Sequence, residues 1–264
     1  MKKSLLKISI ITPSYNQGQF IKKTIDSVLS QKYQNLEYIV MDGGSTDSTL
    51  SILRSYGEKI KWFSKKDNGQ SDALNKGLRI ASGEIVGFIN SDDYLLPGSL
   101  QKINSVFIEN PDIKWLTGRC ATVDEKNQEV RSWITLYKNI LTLFSSLQLL
   151  LVANYISQPA TFWRRSLTKE KNIGFFDTNL HYSMDYDYWL KISARYSLYR
   201  IADLLACYRV HQHSKAVTSP KKQFETEYAI ASKYTTSPVL LGLHKLHFKV
   251  ALLIYKVFLV SNKV

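Results

Sequence analysis

Cysteine is scarce in this chain: two residues, Cys120 and Cys207, in 264. That excludes a disulfide framework and fits two reduced thiols. Acidic residues are also few, 22 against 35 Lys and Arg, for a formal net charge of +13. Such an excess points to an anionic partner: nucleic acid, an anionic membrane surface or a phosphate-bearing substrate. No segment offers about twenty uncharged apolar residues, so a spanning helix is not expected. The start, Met1-Lys2-Lys3 followed by an apolar run broken at Lys7, has no small-residue cleavage site and does not read as a signal peptide. Internal repeats and low-complexity linkers are missing too. What is present is ordinary for a globular protein with a real core, 44% hydrophobic and 22% charged. The length suits one sizeable domain with or without an extension. The charge is uneven: Arg195 to Val264 holds eleven Lys/Arg and three Asp/Glu. A basic appendage on a near-neutral body is the expected layout.

The first 110 residues alternate strand-like and helical patterns. Strands are expected at Ile8 to Ile11, Tyr38 to Met41, 60–64 and Glu84 to Ile89, with helices over 18–31, 47–56 and 70–81. This order predicts a mostly parallel sheet with helices on both faces. Ligands of such sheets bind beyond the carboxyl ends of the strands. Polar loops stand at those ends: Thr12-Pro13-Ser14-Tyr15-Asn16, Asp42-Gly43-Gly44-Ser45-Thr46-Asp47, Asp67 to Asp72, and Asn90-Ser91-Asp92-Asp93. One such loop is more simply a turn or helix cap. Four at successive strand ends mark a site. Further on, strands are expected at Trp115 to Val123 and Ser157 to Trp163. A buried helix or flap is expected over 138–153, a helix over 183–195, an extended run over 197–210, and two helices over 221–235 and 238–260.

These loops, with Asp67 to Gly77 and Met184-Asp185-Tyr186-Asp187, resemble glycosyltransferase family 2 of the type that builds bacterial polysaccharides and cell-surface glycans. The resemblance covers most of residues 7–213. It implies a GT-A fold, an α/β Rossmann-like mostly parallel sheet flanked by helices. It divides the chain into a domain over 1–215, with a nucleotide-binding half (1–110) and an acceptor half (111–215), and a basic amphipathic helical tail over 216–264. The implied activity is inverting transfer of a sugar from a nucleotide-sugar, with a UDP-sugar favoured, to an acceptor hydroxyl on a glycan or lipid-linked acceptor. Mn²⁺ or Mg²⁺ is the implied cofactor, because a hard divalent cation on carboxylate oxygens stabilises a departing diphosphate. By resemblance Asp92 is the main metal ligand and Asp93 a helper, with Asn90 where the family often has its first Asp, and His211 approaches the metal or diphosphate. Thr12, Pro13, Tyr15, Asp42, Asp72, Asn75, Ser91 and Asp92 are expected to bind nucleotide or donor sugar. Asp185 is the expected general base, with Asp187 its competitor. Arg209 is a candidate cation for the diphosphate, and Gln158-Pro159 is expected on the acceptor side. Each has a plainer reading: Asp47 caps a helix, and Asp92, Asp93, Asp185 and Asp187 compensate helix dipoles.

In the tail, Lys245, Lys249 and Lys256 fall within about 40° of arc on a helix that is otherwise mostly apolar. Burying them in a bilayer would cost about 2.5–3.5 kcal/mol each near its centre. The tail is therefore expected to lie on an anionic membrane surface. The expected location is cytoplasmic, peripheral on the inner face of the plasma membrane; packing on the core or a second subunit is the alternative. Nucleic acid is not expected, since the basic stretch is interleaved with aliphatics rather than stacking platforms. Thr12 to Gly18 has one glycine and no Lys or Arg, which disfavours a nucleotidyltransferase. A non-catalytic sugar-nucleotide-binding subunit remains the alternative function.

Overall fold

The computed structural model describes residues 5–261, and only the backbone of Ala216 and of 255–261. Lys256 and the last three residues of the expected tail thus lie outside the described side chains. The elements run β1 (Ile8–Ser14), α1 (Ile21–Leu29), β2 (Leu36–Asp42), α2 (Thr49–Ser55), β3 (Lys61–Ser64), α3 (Gln70–Ile80), β4 (Ile85–Phe88), β5 (Tyr94–Leu95) and α4 (Ser99–Glu109). They continue with β6 (Trp115–Val123), α5 (Ser132–Leu143), α6 (Leu147–Val152), β7 (Thr161–Arg164), α7 (Met184–Ser193), β8 (Tyr199–Arg209), α8 (Lys215–Thr218), α9 (Pro220–Tyr234) and α10 (Pro238–Ser261).

One eight-stranded sheet has the order β3-β2-β1-β4-β7-β6-β8-β5. β3, β2, β1 and β4 are parallel, as single-helix crossovers require. The remainder is mixed, and the sheet is mostly parallel, as expected, with antiparallel pairings at β7 and β5. β7 runs antiparallel to both β4 and β6, because α5 and α6 together return the chain to the end where β6 stopped. β6 and β8 are parallel, and β5 caps the edge antiparallel to β8. Strand alternation divides the core. Ile8 and Ile10 of β1 pack with α1 and α4 on one face, while Ile11 packs with α3, α6 and α7 on the other. Both cysteines are buried and free.

Two expectations for the middle of the chain change. Residues 158–160 form a 3-10 turn before β7 rather than strand. Residues 138–153 form parts of two helices, of which α6 buries Leu150 and Leu151 while α5 buries only Thr135 and Thr142.

The helix that matters most for the site is α7. Its apolar residues bury against an aromatic cluster on the sheet. Trp189 lies 5.8 Å from Trp115 and 5.6 Å from Trp163 by ring centroid, and Tyr188 lies 4.4 Å from Phe176. Such pairs add about 0.5–1.5 kcal/mol each beyond area burial. Asn75 of α3 clamps the approach to α7, donating to Phe176 O and accepting from Phe176 N, both at 2.9 Å. The first turn of α7 is therefore held rigidly over the sheet.

Candidate active site

The polar loops are stitched to one another. Asn16 N donates to Ser45 Oγ at 2.7 Å, and Thr46 N donates to Asn16 Oδ1 at 2.8 Å. Asp42, buried at the end of β2, accepts from Gly44 N, Ser45 N, Ser45 Oγ and Ser64 Oγ. Its carboxylate organises this loop. A Cβ on Gly43 would stand 2.9 Å from Asp67 Oδ2, so glycine permits the 42–47 and 67–69 loops to meet. Gln70 Nε2 then reaches Asn90 Oδ1 at 2.7 Å, and Asn90 Nδ2 donates to Asp93 Oδ2 and Gln158 Oε1, both at 3.1 Å. Lys215, opening α8, completes the chain by donating to Gln70 Oε1 and His181 O, each at 3.0 Å.

The two adjacent aspartates are placed differently. Asp92 is partly exposed, and its Oδ2 lies 3.1 Å from His211 Nε2. Asp93 is fully buried, with Oδ1 accepting from Arg209 N at 2.8 Å and Oδ2 from Asn90. Burial first, and the charge of Asp92 second, push its carboxyl well above the usual carboxylate range. This corrects the expectation for Asp93, whose oxygens serve the fold and do not face a ligand. Arg209 is corrected likewise. Its Nε donates to Asp92 O, its terminal nitrogens to Asp124 O, Glu125 O and Asn127 Oδ1, and its guanidinium covers the Phe20 and Tyr94 rings. It positions the Asp92 backbone. Among the described residues no group of three His, Cys, Asp or Glu side chains is arranged to hold a metal. Asp92 and His211 alone offer one oxygen and one nitrogen donor side by side.

On α7, Asp185 is half-buried, while Asp187 is buried and tied to Tyr234 Oη at 2.8 Å and Lys191 Nζ at 2.8 Å. Asp187 belongs to helix packing, so its candidacy as base is corrected. Burial pushes the Asp185 carboxyl up, against the pull of Lys138 and Lys215. Lys215 is near enough to Asp185 and Asp92 for their charges to act on it, while its hydrogen bonds go to Gln70 and His181.

The remaining expected residues divide. Tyr15 is 60% exposed and presents a free ring face beside the first two loops. Thr12 is buried, its hydroxyl 3.0 Å from Tyr38 Oη, and Pro13 is buried beside it. Ser91 is buried, and its carbonyl accepts from Thr24 Oγ1. Asp72 accepts from Asn68 N at 3.0 Å and pairs with Lys76 at 2.9 Å, which caps α3. Asn75 holds Phe176, and Gln158 donates to Phe88 O at 2.6 Å. These roles are internal, and Asn75 is removed from the expected nucleotide contacts.

Sequence reading missed Lys215, Gln70 and Glu227. Glu227 of α9 is buried, accepting from Asn154 Nδ2 and Ser183 Oγ, both at 3.3 Å, so it grips the residue that opens α7. Burial, and then the charge of Asp185, raise its pKa from 4.5 to about 7. Its proton is thus held more tightly in the fold than in the unfolded chain. The contribution of Glu227 to stability is full below about pH 4.5, is lost as pH rises to about 7, and stays absent above. Glu227→Gln is expected to flatten this fall, which is on the order of 3 kcal/mol. Melting curves from pH 4 to 8 check this, and parallel curves for the two proteins would refute it.

The fold and these loops together define a glycosyltransferase of the GT-A type. A profile of the family described as Glycosyl transferase family 2 matches residues 9–170, and the chain belongs to that family. An uncharacterised glycosyltransferase of Rickettsia typhi is 31% identical over 227 residues, 83% of this chain and 69% of that protein. One from Haemophilus influenzae is 29% identical over 87% of this chain and 73% of its own length. The chain spans 64% of a Rickettsia prowazekii relative and 36% of one from Rickettsia felis. The mannosyltransferase PcManGT of Pyrobaculum calidifontis, solved with GDP-Man and Mn²⁺, superposes with TM-score 0.68 at 21% identity, over 94% of this chain and 70% of that one. Residues 1–349 of S. aureus TarS, solved with UDP-GlcNAc, superpose with TM-score 0.64 at 21% identity, over 88% and 68%.

Proposed function

We propose that this glycosyltransferase moves a sugar from a nucleoside diphosphate donor to an acceptor hydroxyl with inversion, using Asp185 as the base. The observation that supports this is the chain Lys215–Gln70–Asn90, which ties Lys215 to the loop carrying Asp92, itself paired with His211. Asp92 and Asp185 both act electrostatically on Lys215. In this reading Lys215 supplies a cation to the departing diphosphate. The exposed Tyr15 ring offers a stacking face for the base of the nucleotide.

Asp92 and His211 fit a divalent cation that takes its other ligands from diphosphate oxygens and water, the ordinary pattern for Mg²⁺ and Mn²⁺. Such a cation would neutralise charge on the departing diphosphate. Lys215 adds a fixed positive charge on the same side. Asp185 accepts the acceptor's hydroxyl proton as its oxygen forms the bond to the anomeric carbon. The bond from that carbon to the diphosphate oxygen breaks, and its electron pair leaves with the diphosphate. Attack opposite the leaving group inverts the centre. The roles of Thr12, Pro13, Asp42, Asp72, Asp93 and Arg209 are to hold the loops that shape this cradle.

The donor classes to test are UDP- and GDP-sugars, following the two structural neighbours. A nucleoside diphosphate with Mn²⁺ at a hundredfold excess over Kd is expected to raise Tm by about 5–10 °C. No shift with any diphosphate would defeat the proposal. Asn90, engaged by Gln70, Asp93 and Gln158, favours a second reading as a non-catalytic binder. That reading predicts the same thermal shift with neither transfer nor donor hydrolysis.

The acceptor proposed is a glycan or lipid-linked molecule of cell-surface polysaccharide or glycolipid synthesis, met at the inner face of the plasma membrane through α10. Among the described residues no helix is long and apolar enough to cross a membrane. The exposed Lys245 and Lys249 of α10 support contact with an anionic surface instead.

A further inference from the structure

α5 is inside out. Its buried positions are the two threonines, Thr135 and Thr142, seven residues apart, and the Thr135 hydroxyl has no hydrogen-bond partner among the described residues. Its outward positions are aliphatic and aromatic: Leu136 is 61% exposed, and Ile140, Leu143 and, just past the helix, Phe144 are exposed with it. At 100° per residue these span about 100° of arc opposite the threonines. Folding in water alone selects the reverse arrangement. An outward apolar stripe of this extent marks an interaction surface.

α10 shows a second stripe. Val239, Leu243, Leu246, Val250 and Leu253 are exposed and fall within about 80° of arc, while His244 faces the protein. Lys245 and Lys249 are exposed on its flank. The two helices meet where Tyr137 stacks on His247, ring centroids 6.1 Å apart at 14°. Their apolar stripes therefore adjoin.

Charge decides what covers them. No Asp or Glu occurs between Glu129 and Glu170, nor after Glu227. Neither α5 nor α10 carries a carboxylate among its described residues, and the exposed Glu225 of the adjoining α9 is already paired with Lys221 at 3.8 Å, so a second copy seated on this face would set lysines against lysines. A lipid surface offers apolar depth with phosphates at the rim, which matches aliphatic stripes flanked by lysine.

We propose that α5 and α10 together form one docking face for an anionic phospholipid bilayer, with the α5 stripe entering the interface beside the acceptor side of the site. Lys138 of α5 is near enough for its charge to act on both Asp185 and Glu227, so α5 lies on the same side of the molecule as the start of α7. A lipid-linked acceptor would then reach Asp185 without leaving the membrane surface. This last point rests on the proposed transferase reading; the docking face does not.

The experiment uses the full chain with phosphatidylcholine vesicles, with and without phosphatidylglycerol. Binding is expected to require phosphatidylglycerol and to weaken with salt. Leu136→Asp with Ile140→Asp is expected to weaken vesicle binding at least about tenfold, because two aliphatic side chains lose their burial. Both positions are exposed, so the nucleotide-dependent Tm shift is retained and reports a folded protein. Lys245→Glu with Lys249→Glu is expected to remove the phosphatidylglycerol dependence. Undiminished vesicle binding by the α5 variant overturns the proposal. So does a dimer in light scattering that the α5 variant dissociates, since the face would then be covered by a second copy. Loss of donor turnover in the unmodified chain, with vesicle binding intact, would instead refute the transferase reading and leave the docking face standing.

Discussion

Asp185→Asn is expected to lower sugar transfer by about 10²–10⁴-fold, the range by which a positioned base contributes, while nucleoside diphosphate affinity is unchanged. Asparagine keeps the size and polarity of the side chain but cannot take the proton. The aromatic cluster of Trp115, Trp163, Phe176, Tyr188 and Trp189 holds α7 in place, so the loss is chemical and not structural. No neighbouring carboxylate on α7 substitutes, because Asp187 is held by Tyr234 and Lys191. The base acts only when deprotonated, and burial has raised its carboxyl. In the parent protein kcat/KM therefore falls as pH is lowered through that raised value, and the acid limb disappears in the asparagine variant. Asp187→Asn serves as the control, expected to lower Tm with transfer chemistry retained. Near-normal turnover by Asp185→Asn would remove this residue from the base role.

Asp92→Ala is expected to weaken Mn²⁺-dependent binding of a nucleoside diphosphate at least about tenfold, close to 1.4 kcal/mol. Titration calorimetry with Mn²⁺ and with a chelator separates two contributions. Asp92 acts only in the Mn²⁺ arm, whereas Lys215→Met weakens diphosphate binding in both arms and nucleoside binding in neither. The distinction follows from position, since Lys215 is held by Gln70 and the His181 carbonyl rather than by any carboxylate. Asp93→Asn is expected to alter stability and leave the Mn²⁺ dependence alone, because its oxygens face Arg209 N and Asn90. Equal diphosphate affinity for the parent and Asp92→Ala in the Mn²⁺ arm would overturn the assignment.

Much of this site was legible in sequence. Strands β1, β2, β3 and β4 and helices α1, α2 and α3 lie within a few residues of their expected places, because period-2 and period-3.6 patterns report burial directly. The loops follow at the strand ends. The assignments that changed all depended on distant partners. Asn75 meets Phe176 across 101 residues, and Arg209 meets Asp93 across 116. Neither pairing leaves a mark in local spacing. Lys215 and Glu227 were missed for the same cause. Lys215 follows His213-Ser214 in a short basic run, and Glu227 sits mid-helix among ordinary polar residues. Gln70 had a signal, since it stands within Gly69 to Gly77, but its amide became informative only beside Asn90.

The order of residues alone determined the βα alternation of the first half, the acidic and amide tips of its strands, the helix bearing Asp185 and the positive excess of the tail. Those are properties of neighbours along the chain, where periodicity and turn chemistry act over a few residues. Tertiary structure decided which of two adjacent aspartates is buried, which of two helix-borne aspartates is open, and that α5 turns much of its aliphatic side outward. A side chain's solvent access and its hydrogen-bond partners depend on what the fold packs against it, and those surroundings come from segments a hundred residues away.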